Sequence, residues 1–200
     1  MINGPGSASG KRLLPLWFAA LFSTWLLAPA ALLAQTPSLA PTTQTSIGLF
    51  YQPDAPRRVS LREPGDIGEA LNLRGRVVDP TGMAVANALV ELWHADAIGS
   101  VDESRYRTAQ VTNAKGVFGI KTILPGHIEM ARDNYVFAGR HIHIMVSHPA
   151  FGRLVSLIFF KGDERLSGNP YPELAIPLEQ ARTDEGEVLF GRVQIVLEPG

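Results

Sequence analysis

Hydrophobic and polar positions alternate with a period of two over much of the chain beyond residue 70. Leu71, Leu73, Gly75 and Val77 interleave with Asn72, Arg74 and Arg76, the pattern of a strand with one buried face. Residues 88–93 repeat it, with Ala88, Val90 and Leu92 on one side and Trp93 at the end. Strands are also predicted over 117–123, 141–146 and the apolar run 154–160. The last strand alternates Leu189, Gly191, Val193, Ile195 and Leu197. Turn residues punctuate these runs: Asp79-Pro80-Thr81-Gly82, Asn113-Ala114-Lys115-Gly116, Pro125-Gly126 and Gly162-Asp163, with Pro and Gly where tight turns need them. Helical periodicity is weak throughout, and its best stretch is 173–182. Short strands with regular turns predict an all-β fold, an antiparallel β-sandwich with long loops.

The first segment follows another pattern. Lys11-Arg12 precedes an apolar run over 13–27, broken only by Pro15, Ser23 and Thr24, and Ala28-Pro29-Ala30 and Leu32-Leu33-Ala34 follow. A basic start, an apolar middle and a small-residue end predict a signal peptide over 1–34, cut after Ala34 or, alternatively, after Ala30. The expected location is therefore exported, periplasmic or secreted. The competing reading is an uncleaved anchor over 13–33, long enough to cross a bilayer. Residues 35–46, rich in Thr, Pro, Gln and Ser, read as a flexible spacer. A single β-sandwich domain is expected over 47–200.

Charge and composition narrow the function. With 18 Lys+Arg against 19 Asp+Glu, the net charge is −1, which gives no basic surface for nucleic acid. A hydrophobic content of 46% fits a packed domain. Cysteine is absent, which excludes disulfides, thiolate zinc sites, iron–sulfur clusters and a cysteine nucleophile. Sandwich edges leave room for pairing into a homo-oligomer.

His141-Ile142-His143 is the most informative triplet. Residues i and i+2 of a strand share a face, so both imidazoles project together while Ile142, Ile144 and Val146 point into the core. Two imidazoles on one face make half of a metal site, or simply a polar strand face. Without cysteine, further ligands are oxygen donors or other histidines, which favours a harder ion. The tyrosines are Tyr51, Tyr106, Tyr135 and Tyr171, and phenolate suits ferric iron because a hard cation lowers the phenol's pKa. His127, after Pro125-Gly126, reads as a solvated loop residue or a replacement ligand. His148 reads as structural, and Trp93 and His94 as packing beside the site.

Several segments resemble one family in unbroken order over about 48–165. Gly48-Leu49-Phe50-Tyr51, Ala55-Pro56-Arg57-Arg58, Leu61-Arg62-Glu63, Leu73-Arg74-Gly75-Arg76-Val77-Val78-Asp79, Val90-Glu91-Leu92-Trp93-His94-Ala95-Asp96, Thr122-Ile123-Leu124-Pro125-Gly126, His141-Ile142-His143 and Phe159-Phe160-Lys161-Gly162-Asp163 are similar to the signature of intradiol ring-cleavage dioxygenases. The resemblance implies a β-sandwich holding one non-haem Fe(III) through two tyrosinates and two histidines. It implies a small aromatic ortho-diol of the catechol or protocatechuate type and O2 as the reactants. It also implies an arginine that stabilises charge developing on the ring.

The histidines carry over to His141 and His143. At the family's two tyrosine positions this chain has Val101 and Ile128, and Leu157 and Phe159 stand where many members have a glutamine pattern. Two tyrosines are the substitutes: Tyr135, six residues before His141, and Tyr106, five beyond Val101. Glu129 and Asp133 are oxygen donors in the same loop as Tyr135. Arg140 is the nearest match to the family's arginine, which usually stands where Ala138 does. The expected activity is thus an Fe(III)-dependent intradiol dioxygenase. The second reading is a β-sandwich binding module without catalysis, a pseudoenzyme or partner subunit. The third is a transthyretin-like or carboxypeptidase-regulatory-like sandwich.

Overall fold

The computed structural model describes residues 38–48, 50–102, 104–128 and 139–200. The signal-peptide reading of 1–34 and the candidate donors Glu129, Asp133 and Tyr135 lie outside the described residues. Among those described, no helix is long and apolar enough to cross a membrane.

Among the described residues nine strands form two sheets: β1 (Ala70–Val78), β2 (Leu89–Trp93), β3 (Arg107–Val111), β4 (Val117–Ile123), β5 (His141–His148), β6 (Gly152–Phe160), β7 (Ala175–Ile176), β8 (Leu178–Thr183) and β9 (Gly186–Val196). One sheet has the order β4-β1-β9-β8 and the other β3-β2-β5-β6-β7. Most pairings are antiparallel, as expected, but β1 pairs β9 and β6 pairs β7 in parallel. The alternating apolar positions read from the sequence meet between the sheets. Leu71, Leu73 and Val77 of β1, Phe118 and Ile120 of β4, and Ile195 of β9 face Val90 and Leu92 of β2, Ile142, Ile144 and Val146 of β5, and Ile158 and Phe160 of β6. Each such side chain removed from water contributes about 1.5–3 kcal/mol.

One expectation is corrected, and two further features were not anticipated. The weak helix over 173–182 is instead a single 3-10 turn, Pro172–Leu174, followed by β7 and β8. Leu, Glu, Gln, Ala and Arg in β8 are good helix formers, but pairing with β9 from Leu178↔Gly191 to Thr183↔Gly186 outweighs that small preference. The strand β3 carried no sequence signal, because its buried residues include Arg107 and Thr108; the Thr108 hydroxyl donates to the Arg58 carbonyl at 2.6 Å. The spacer, where described, is bound along the sandwich. Leu39 N donates to Pro80 O (2.7 Å), Thr42 N to Val196 O (3.1 Å) and Thr45 N to Val155 O (2.8 Å). Val196 N returns a bond to Thr42 Oγ1 (2.8 Å) and Ser156 Oγ donates to Thr43 O (2.7 Å). A segment too polar to make a core is held through its backbone groups.

Candidate metal centre

Both faces of β5 are buried, with every residue from His141 to Val146 inaccessible. The inner face carries Ile142, Ile144 and Val146. His141, His143 and Met145 project from the other face, which the loops and the N-terminal strap cover. There the ladder sets His143 between Trp93 of β2 and Leu157 of β6, and His141 beside Phe159. Trp93 stacks on His143 with centroids 5.0 Å apart and planes 3° from parallel. The two imidazoles are 4.9 Å apart at 77°. Gly48, with φ +77°, closes the chain over this pair; a Cβ there would lie 2.7 Å from His143 Cε1. Only glycine both adopts that conformation readily and leaves the ring its room.

The hydrogen bonds set the protonation. His141 Nδ1 lies 2.7 Å from the Gly139 carbonyl. A carbonyl only accepts, so Nδ1 carries the hydrogen and Nε2 presents the lone pair. His143 is 2% exposed, and among the described residues neither of its nitrogens has a hydrogen-bond partner. The indole Nε1 of Trp93, stacked on it, has none either. Leaving such groups unpaired costs about 1–3 kcal/mol each, so their concentration at one point marks a site shaped for something other than packing. Burial lowers the pKa of His141, and lowers that of His143 well below its ordinary value with help from His141 and His94. Both rings are neutral at neutral pH, the form that binds metal ions. The donor pair therefore fits a metal. Among the described residues no His, Asp or Glu joins it as a third donor.

The other histidines and tyrosines are placed differently. His94 is buried beside the pair but saturated: Nδ1 donates to Ala95 O at 2.6 Å and Nε2 meets Thr122 Oγ1 at 2.7 Å. Burial lowers its pKa to about 4. Tyr106 departs from the expectation of a ligand. It is buried in the inter-sheet core, its phenol donates to Asp66, and burial and that carboxylate raise its pKa to about 12, the opposite of what a phenolate requires. Arg105 pairs with Asp66 at 2.5 Å and lies 4.8 Å above the Tyr106 ring. The Tyr51 hydroxyl donates to Glu91 at 3.3 Å.

Arg140 immediately precedes β5 and borders a cleft of about 370 Å³ with His127, Lys161 and Asp163. Its backbone N–H donates to Asp163 Oδ2 at 2.5 Å. Val101 and Ile128 are both half-buried, on loops that touch through their backbones: a Cβ on Gly99 would lie 1.9 Å from His127 O, and one on Gly126 2.4 Å from Ala97 O. Sequence reasoning did not single out Asp163 or Gly48 as site residues. The only signal for either was its presence in a motif, Phe159-Phe160-Lys161-Gly162-Asp163 or Gly48-Leu49-Phe50-Tyr51.

The family model Dioxygenase_C, described as "Dioxygenase", matches residues 51–177. The chain belongs to the intradiol ring-cleavage dioxygenase family. Catechol 1,2-dioxygenase 2 of Acinetobacter lwoffii is 32% identical over 62% of this chain and 53% of its own length. The protocatechuate 3,4-dioxygenase beta chain of Burkholderia cepacia is 31% identical over 66% of this chain and 65% of its own length. The chain thus spans between half and two thirds of these family members. The solved dioxygenase domain of a dioxygenase–carbohydrate-binding fusion from Streptomyces sp. SirexAA-E is 27% identical with a TM-score of 0.68, covering 80% of this chain and 100% of that one. The 3-chlorocatechol 1,2-dioxygenase of Rhodococcus opacus 1CP, at 20% identity, shares the family fold with a TM-score of 0.74 over 82% of this chain and 76% of its own.

Proposed function

We propose that this chain is an exported Fe(III)-dependent intradiol dioxygenase that opens an aromatic ortho-diol of the catechol or protocatechuate type with O2. The observation that carries the reading is the buried, neutral pair His141 and His143, with both His143 nitrogens lacking partners among the described residues. The chemistry a bound ferric ion would supply is Lewis acidity, which favours the deprotonated, electron-rich form of the diol that can react with O2. His141 Nε2 and one nitrogen of His143 hold it. Tyr135 supplies phenolate; that assignment is supported by the engagement of Tyr51 with Glu91 and of Tyr106 with Asp66. Trp93 and Gly48 fix the plane of His143, and the Gly139 carbonyl fixes the tautomer of His141. Arg140 lies at the cleft beside His141, where a cation stabilises negative charge on the ring.

The test is the purified protein reconstituted with ferric iron. About one iron per chain, a visible phenolate-to-iron absorption band and O2-consuming cleavage of catechol or protocatechuate are expected. Tyr135→Phe should remove the band and His143→Ala the iron. Full iron content and diol cleavage in Tyr135→Phe would overturn that ligand. The second reading, a non-catalytic module, is favoured by Val101 and Ile128 at the family's tyrosine positions; it wins if the wild type neither holds iron nor cleaves a diol.

A further inference from the structure

The cleft beside Arg140 contains a paired acid and base that the ligand set does not use. His127 Nε2 lies 2.8 Å from Asp163 Oδ1, with side chains 13% and 2% exposed respectively. Asp163 also accepts from Arg140 N at 2.5 Å through Oδ2 and from Arg165 N at 2.9 Å through Oδ1. Burial alone would raise the pKa of this carboxylate. The donors from Arg165, His127 and Arg140 outweigh that and hold it below the usual range. Asp163 is therefore an anion that can only accept, which places the hydrogen of His127 on Nε2 and leaves Nδ1 as the basic atom. Asp163 also ties this imidazole to the metal pair, because the residue it holds, Arg140, immediately precedes His141. The cleft is of a size that takes one small ring.

We propose that His127, oriented by Asp163, is the base that takes a proton from the diol as it enters the site. This rests on the dioxygenase reading above. One hydroxyl O–H bond of the diol breaks and an N–H bond forms at His127 Nδ1. The electron pair stays on the diol oxygen, which becomes an anionic donor, and Asp163 stabilises the imidazolium. The proton leaves through the cleft, where Arg140, Lys161 and Glu164 are the other charged groups. Asp163 is a positioning residue here, and His127 the catalytic one.

The test compares two diols of different acidity, catechol and 4-nitrocatechol, whose nitro group makes its hydroxyls easier to ionise. In His127→Gln, iron content and the visible band should match wild type. Its kcat/KM for catechol should fall by about 100-fold or more, the ordinary worth of a positioned base, while 4-nitrocatechol loses far less. In anaerobic titrations followed by the visible band, catechol binding should weaken in His127→Gln more than 4-nitrocatechol binding does. Added imidazole should restore part of the catechol rate in His127→Ala. Equal losses on both diols together with no imidazole rescue, in a variant that keeps its iron, would overturn the dyad and leave the dioxygenase reading standing. A wild-type protein that cleaves neither diol would overturn both.

Discussion

The two faces of strand β5 are equally hidden from water and chemically opposite. On the inner face Ile142, Ile144 and Val146 are each 0% exposed and packed between the sheets. On the outer face His141 and His143 are 3% and 2% exposed, against Trp93, Phe159 and the glycine of the strap. The inner residues need only neighbours of the right shape, because apolar groups gain by burial itself. The outer residues lose hydration that packing cannot replace, and at His143 the described residues offer no substitute. Burial alone therefore does not separate structural from functional positions. The balance of hydrogen-bond partners does, as His94 shows within the same neighbourhood: it is as buried as its neighbours, yet both its nitrogens are engaged.

The inner face should give the largest effect on stability. Ile144→Ala should cost about 2–5 kcal/mol of unfolding free energy, the usual range for a buried large-to-small change. Iron bound per folded molecule should be unchanged; a parallel loss of iron would mean that the faces are not independent.

Acid should act through the histidines on the site side. The folded-state pKa of His94 is lowered from 6.5 to about 4. Between those values the unfolded chain binds a proton that the folded chain refuses, so stability falls as pH drops below about 6.5. By pH 4 the contribution from His94 is on the order of 3 kcal/mol. Urea unfolding between pH 7 and pH 4 should show this slope and a shallower one in His94→Gln. An identical slope in that variant would remove His94 from the account.

The smallest effect has the opposite sign. His143→Leu should stabilise the iron-free protein by about 1–2 kcal/mol, because two unpaired buried nitrogens are replaced by an apolar group, while iron retention is lost. Destabilisation of the iron-free protein by this change would show that the imidazole has a partner in packing and that the contrast between the faces is overstated.

The alternating strands were legible because a half-buried strand writes its period of two into the chain, and β1, β5 and β9 follow it closely. The pointing of His141 and His143 to one side was legible for the same reason. β3 was not, because its buried residues include Arg107 and Thr108, made tolerable by partners distant in sequence. β8 was misread because its helix-forming residues sit at a sheet edge, where pairing with β9 decides. At the site, family order identified His141, His143 and the altered positions Val101 and Ile128, and it ranked Tyr135 above Tyr106 while keeping both as ligand candidates. The commitment of Tyr106 to Asp66 is a contact across 40 residues of chain, and no local pattern encodes it.

By itself, then, the sequence determined the strand periodicity, the shared face of the two histidines and the exclusion of thiolate chemistry, because each follows from residue type and spacing along one segment. Only the tertiary structure decided that Gly48 closes over His143, that Trp93 lies flat against it, that the polar strap is held along the sandwich, and that Asp163 joins His127 to the start of the strand carrying His141 and His143. Those outcomes depend on where segments far apart in the chain come to rest, and a partner 36 residues away, as Asp163 is from His127, leaves no periodic trace.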